Sequence, residues 1–133
     1  MISIKKYIEV EKELSEKYGP FNLFALFLRE NSPNKWDILV ASDWVENDKQ
    51  KSMRLIVKKL IEKLDTKELI DISKVAIIEE SNPALASFQS AISIEHGVVE
   101  VRDRSFNGLP IKHAYVITSK RTDQREYASS SKS

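Results

Sequence analysis

The chain has 133 residues, of which 41% are apolar and 31% charged, a balance typical of one ordinary globular domain. Lys and Arg number 21 against 20 Asp and Glu, and the formal net charge of +1 disfavours a cationic nucleic-acid clamp and an acidic disordered chain. The absence of cysteine excludes a disulfide scaffold, thiolate metal sites and cysteine nucleophiles, and two histidines are too few for a histidine-rich metal site.

The first part of the chain alternates helical and extended patterns. Apolar residues at helical spacing predict a helix over about 3–18, which Gly19 would end in a left-handed conformation. Residues 21–29 are almost continuously apolar, the pattern of a strand buried on both faces. A turn-forming segment, 30–35, links it to a second strand over 36–42, so we expect an antiparallel hairpin.

The strongest periodic signal lies in the middle of the chain. Asn47 or Asp48 can cap a helix there, because a short polar side chain accepts a hydrogen bond from a first-turn amide. Apolar residues then recur at steps of three and four, which predicts that this side of the helix faces the core. They are Met53, Ile56, Val57, Leu60, Ile61 and Leu64.

Three signals follow that helix. Thr66 is expected to cap a short helical turn before a third strand over 74–79. Asn82 followed by Pro83 predicts a helix start, because proline at the first helical position loses only an amide that has no partner.

Asn107-Gly108 is the strongest short-range hairpin signal in the chain, because both residues accept positive φ. The flanking segments, 98–106 and 109–118, would then form antiparallel strands, with Asp103 opposite Lys112.

The element order α-β-β-α-β-α-β-β predicts an α/β fold, with α+β as the alternative, built on a mixed sheet of about five strands with helices packed on it. No linker or repeat interrupts residues 1–119, so we expect a single domain there and a flexible tail over 120–133. No apolar run approaches the roughly 18 residues of a membrane span and no secretory signal is visible, which makes the cytoplasm the expected location.

Polar residues near the ends of two predicted strands are the first candidates for ligand binding. Asp43 and Trp44 follow the second strand, and Glu79 and Glu80 follow the third, where open α/β sheets tend to bind ligands. Together with Asp37, inside the second strand, these carboxylates could hold Mg²⁺, and Trp44 could be a stacking platform. The competing interpretations are an outward-facing strand position, a core or interface tryptophan, and charges that complement a helix N-terminus.

The second set of candidates contains the two histidines. Glu95 could tune His96 as a general base, although sequence neighbours usually point apart, which favours a structural loop histidine. The predicted hairpin carries a basic and aromatic face, which could grip phosphates or could be a solvated sheet edge protected by charge. Its members are Arg102, Arg104, Phe106, Lys112 and His113.

Known phosphate-binding and hydrolase motifs are missing from the sequence. The three glycines, Gly19, Gly97 and Gly108, are all used by predicted caps and turns. No glycine-rich loop is left for Walker-type or dinucleotide binding, and no Gly-x-Ser-x-Gly elbow is present.

The segment 21–91, about half of the chain, resembles the minimal nucleotidyltransferases in element order and spacing. Asp37 matches the second aspartate of that family's Asp-x-Asp strand, and Asn82-Pro83 matches the start of a later helix. Lys35 stands where the first aspartate belongs, and Ala76 lies where the third one belongs. Because two-metal nucleotidyl transfer needs several carboxylates, the resemblance implies a degenerate relative without catalysis.

We therefore expect a non-catalytic interaction or ligand-binding module without a cofactor or a bound metal. One alternative is a metal-dependent nucleotide or phosphoester enzyme that uses Asp37 with Asp43, Glu79 or Glu80. The other is weak RNA binding through the hairpin from Arg102 to His113, which the net charge disfavours.

We also expect a homodimer or another protein partner, and we expect no association with a membrane. A partner would cover exposed strand edges and apolar residues such as Trp44 and Leu55. Leu55 falls outside the apolar stripe of its helix.

Overall fold

The computed structural model describes residues 3–29 and 34–121, which form an α/β fold with helices packed on one mixed five-stranded sheet. The helices are α1 (Ile4–Tyr18), α2 (Asp43–Asn47), α3 (Lys49–Lys63), α4 (Thr66–Ile70) and α5 (Pro83–Ala91). The strands are β1 (Leu23–Leu28), β2 (Trp36–Ala41), β3 (Ile72–Ile77), β4 (Val99–Phe106) and β5 (Leu109–Ser119). Most of the predicted turn over 30–35 and of the predicted tail lies outside the described residues. Within the described ranges, no helix has the length and apolarity needed to cross a bilayer.

The sheet places the most apolar strand at its centre. Its order is β3-β2-β1-β5-β4, in which β2 and β3 run parallel and the other neighbours antiparallel. The predicted hairpin of β1 and β2 is confirmed, with a register from Leu23 opposite Ala41 to Leu28 opposite Trp36. The first four residues of β1 are buried, which explains why its sequence does not alternate.

Two apolar cores lie on the two faces of the sheet. On one face α1 and α3 pack against the sheet, with Tyr7 and Val10 from α1 and Ile56 and Leu60 from α3. On the other face α5, only nine residues long, supplies Leu85 and Phe88. One face therefore has far more helical cover than the other.

The predicted stripe of α3 splits between core and surface. Asp48 caps the helix as expected, because its Oδ1 accepts a hydrogen bond from the Lys51 amide at 3.2 Å. Ile56 is buried, whereas Val57 is 37% exposed and Ile61 is 58% exposed. The prediction that all six apolar residues face the core is therefore wrong, because they span a wider arc than the sheet can cover.

Two local predictions also need correction, and one short helix was not predicted. Gly19 has φ 132° and ψ 162°, an extended conformation open only to glycine, and not the left-handed helical one. Asp65 caps α4 in place of Thr66. The Asp65 carboxylate accepts a hydrogen bond from the Glu68 amide, and the Glu68 carboxylate accepts one from the Asp65 amide. The Ser42 hydroxyl caps α2, a helix that the sequence did not predict.

The second hairpin forms around Asn107-Gly108 as predicted, and both residues have positive φ. Its register holds Val101 opposite Ala114. The ladder skips Asp103, which has φ 49° and which we expected opposite Lys112, although the register is the same on both sides of it.

Two glycine substitutions test the backbone at these turns. Gly108→Ala should lower the free energy of unfolding by about 1 kcal/mol. A Cβ there would meet no other atom, so the cost is only the backbone strain of an alanine at φ 84°. Gly19→Ala should cost more, roughly 2–3 kcal/mol, because its backbone region is glycine-only and its Cβ would lie 3.1 Å from Trp44 Cδ1. Urea unfolding of both variants measures the difference, and equal losses would contradict this account of Gly19.

Candidate functional site

The carboxylates predicted around strands two and three lie at opposite ends of β2. Asp37 is the second residue of β2 and is opposite Phe27 on β1. Its Oδ1 lies 3.8 Å from Nη1 of Arg29, an ion pair without a hydrogen bond. Asp43 follows the far end of the strand, roughly 15–20 Å away at about 3.3 Å per residue. Asp37 therefore cannot share an ion with Asp43.

Glu79 and Glu80 lie beyond the end of β3, each bonded to a neighbouring segment. Glu79 accepts a hydrogen bond from Lys49 at 2.9 Å, and this contact lowers the pKa of the carboxyl group. Glu80 accepts one from the buried Asn22 side chain at 2.5 Å, and the Glu80 amide donates to Glu46. These contacts tie the end of β3 to α2, α3 and the start of β1.

No metal-binding cluster forms at these strand ends. Across residues 3–29 and 34–121, no three His, Asp or Glu side chains come together in a way that could hold a metal ion. Trp44, the candidate stacking platform, is packed instead between Tyr18, at 5.2 Å between ring centroids, and Phe21, at 5.5 Å. Trp44 therefore belongs to an aromatic cluster at this end of the sheet.

The predicted basic face of the hairpin is divided between two sides of the sheet. Val101 and Phe106 both pack in the core beneath α5, although regular alternation would send residues five apart to opposite faces. The left-handed Asp103 causes the switch. Arg102 and Arg104 consequently point to opposite faces, and the Arg104 guanidinium lies 5.5 Å from the Phe106 ring centre.

An anion neutralises the Arg102 side of the hairpin. Glu100 Oε2 lies 2.7 Å from His113 Nε2 and 2.9 Å from Arg102 Nη2. The hydrogen bond from His113 is the main cause that lowers the pKa of Glu100. The His113 ring packs edge-on against Trp36, with 5.2 Å between the ring centroids, and Lys112 is exposed. The four predicted cations therefore do not form one surface for phosphates.

The most organised polar constellation joins α1, β5 and the segment before β4. Glu11 is completely buried, and its two carboxylate oxygens contact His96 Nδ1 at 2.5 Å and the Thr118 hydroxyl at 2.8 Å. The His96 amide closes the ring by donating to the Thr118 oxygen at 3.1 Å. Because an unpaired buried carboxylate is costly, this ring is what permits Glu11 inside the core.

The ring also orients the His96 imidazole. Glu11 holds Nδ1 of His96, and Nε2 lies 3.7 Å from a Glu95 carboxylate oxygen. The His96 side chain is 30% exposed. A carboxylate-held imidazole is the arrangement that catalytic and metal-binding histidines use. Sequence reasoning considered Glu95 as its partner and missed Glu11. The signal was present, because Glu11 lies at helical spacing from the apolar Tyr7 and Leu14.

An apolar strip runs along the surface of α3, formed by Met53, Val57 and Ile61 and called here the α3 strip. Three charged residues border it on the solvent side, namely Arg54, Lys58 and Glu62. A scan against protein-family models, a search of curated proteins and a search of solved structures found no match to this chain. The α3 strip must therefore be interpreted from its own chemistry.

The buried ring predicts a measurable loss of stability in Thr118→Val. Removing the hydroxyl leaves Glu11 without one donor and the His96 amide without its acceptor, which should lower the free energy of unfolding by about 1–3 kcal/mol. Thr118→Ser keeps the hydroxyl and should lose much less, and the exposed Thr66→Val should stay within about 0.5 kcal/mol. Equal stability of the valine and serine variants in urea unfolding would contradict the role of the ring.

Proposed function

We propose that this protein is a non-catalytic interaction module that pairs with a second copy of itself through the α3 strip. The supporting observation is an apolar helix flank bordered by charges of opposite sign toward its two ends. The proposal retains the idea of a degenerate relative of the nucleotidyltransferases. At the positions of that resemblance the Lys35 amine contacts the Ile70 carbonyl oxygen and Asp37 pairs with Arg29, so neither is arranged as a metal ligand.

The α3 strip lies on the flank of its helix that faces away from α1. Lys59 and Lys63 lie on the α1 side, where both contact Glu13 at 3.3 and 2.6 Å. Val57 is two positions before Lys59, about 200° around the helix, so it projects to the other side. On that side α3 contacts β3, the edge strand of the sheet. The strip therefore borders an open sheet edge.

Apolar matching under two-fold symmetry favours a second copy as the occupant. If two α3 helices cross antiparallel with the axis near Val57, that residue meets its own copy and Met53 meets Ile61 of the partner. Every apolar residue of the strip then faces an apolar residue, as an isologous interface requires. Ile61 is 58% exposed and is the most accessible residue of the strip, so its burial against the second copy would contribute most to the stability of the dimer.

Charge pairing favours the same antiparallel geometry. Arg54 and Glu62 lie four residues before and after Lys58, the neighbour of Val57, so a two-fold axis at this level of the helix also brings each arginine close to the glutamate of the other copy. Glu62 already contacts Lys59 within its own helix at 3.2 Å and has room to accept a second cation, because its side chain is 49% exposed. Lys58 would lie beside its own copy near the axis, where its long exposed stem can turn its charge to solvent.

The test is the oligomeric state of two matched valine variants. Val57→Lys places a charge in the centre of the strip and should weaken the dimer at least about tenfold in dissociation constant. Val98→Lys is the control, because this valine is 46% exposed in the segment before β4, at the opposite edge of the sheet. Light scattering over a concentration series measures both, and a wild-type chain that stays monomeric at high concentration would contradict the proposal.

A charge exchange tests the geometry of the pair independently of its apolar part. Arg54→Glu and Glu62→Arg should each weaken the dimer, because each single change sets like charges against one another. The double variant restores both pairs and should recover most of the wild-type dissociation constant. If the double variant is as weak as the sum of the singles, the antiparallel arrangement is wrong even if a dimer exists.

A further inference from the structure

A small apolar cavity opens on the face of the sheet opposite α3, between α5 and the strands. Its volume is about 130 Å³. Its walls come from β1, β2, the residue after β3, the start of β5 and α5 with its cap, and they include Leu23, Phe27, Leu39, Ile78, Leu85 and Phe88. It is separate from the α3 strip, because the sheet lies between them.

The cavity follows from the shortness of α5. A nine-residue helix is about 13 Å long, whereas the sheet beneath it has five strands about 4.8 Å apart, so α5 cannot cover the whole face. Leu85 and Phe88 fill the side of the cavity next to α5 and are almost fully buried. Leu39 and Ile78, toward the β3 edge, stay half-buried, which leaves a side through which a ligand can enter.

The chemistry of the walls selects an uncharged ligand. Among the residues that the structure describes, no Lys, Arg, Asp or Glu lines the cavity, and Asn82 is the one polar side chain in its wall. Its Oδ1 is occupied by the Ala84 amide at 2.9 Å, as the cap of α5. A charged ligand would lose its hydration without gaining a counter-charge, so such ligands are excluded.

The size and shape of the walls select a ring. A cavity of about 150 Å³ with apolar walls accepts benzene in another protein, and the present volume of about 130 Å³ is close to that. Phe27 and Phe88 face the cavity with ring centroids 5.9 Å apart and a tilted arrangement, which leaves ring faces and edges available to a third ring.

We propose that this cavity is a binding site for an uncharged, monocyclic aromatic molecule, or for one such ring carried by a larger ligand. The ring would lie between Phe27 and Leu39, with any polar substituent directed to Asn82 at the rim. This site adds ligand binding to the interaction function, and it does not depend on whether the chain dimerises.

The experiment uses toluene as the probe and two matched variants in which an alanine of α5 is replaced by leucine. Toluene should bind the wild-type chain saturably in heteronuclear NMR titrations, with shifts concentrated on residues around the cavity. Ala84→Leu places extra volume in the cavity wall and should weaken toluene at least about tenfold, whereas Ala86→Leu, on the exposed side of α5, should change the affinity less than about twofold. Circular dichroism confirms that both variants are folded.

A cavity-enlarging variant keeps the test decisive if Ala84→Leu proves unstable. Leu39→Ala removes a wall residue and should shift the preference from toluene to the bulkier propylbenzene. No saturable toluene binding to the wild-type chain, or equal binding by the Ala84→Leu and Ala86→Leu variants, would overturn the site. Because the α3 variants are read out by light scattering, failure of the dimer and failure of the cavity remain distinguishable.

Discussion

The burial of β1 on both faces is the constraint on which the rest of the structure depends. Phe24, Ala25 and Leu26 are wholly inaccessible in the centre of the sheet, so both faces must be covered. Among the described residues, the long helices α1 and α3 cover one face and the short helix α5 covers the other. Since this cover is unequal, apolar surface remains on the flank of α3 beside the sheet edge and in the cavity beside α5. Both proposals rest on these residual surfaces.

Most of the fold was predictable from local chemistry. The buried central strand, the cap at Asp48, the helix start at Asn82 and the hairpin at Asn107-Gly108 each follow from a residue type at a fixed position, and the structure confirms them. The division of the apolar residues of α3 between core and surface could not be predicted, because Val57 satisfies helical periodicity as well as Ile56 does. Which of the two is buried depends on where the sheet ends.

The candidate sites were less predictable, because they depend on contacts between distant segments. A single positive φ at Asp103 reverses the alternation of β4 and separates Arg102 from Arg104, and no sequence pattern marks it. The contact between Glu11 and His96 joins residues 85 positions apart. Helical spacing marks Glu11 as buried, but it does not identify the partner.

The most direct measurement of the central claim is a single introduced cysteine. The chain has no cysteine of its own, so Val57→Cys can form a disulfide only with another copy. With the two-fold axis near this residue, a mild oxidant should convert the variant rapidly and almost completely to a covalent dimer, while Val98→Cys should remain largely uncrosslinked. Equal crosslinking of the two variants, or none in either, would contradict pairing through α3.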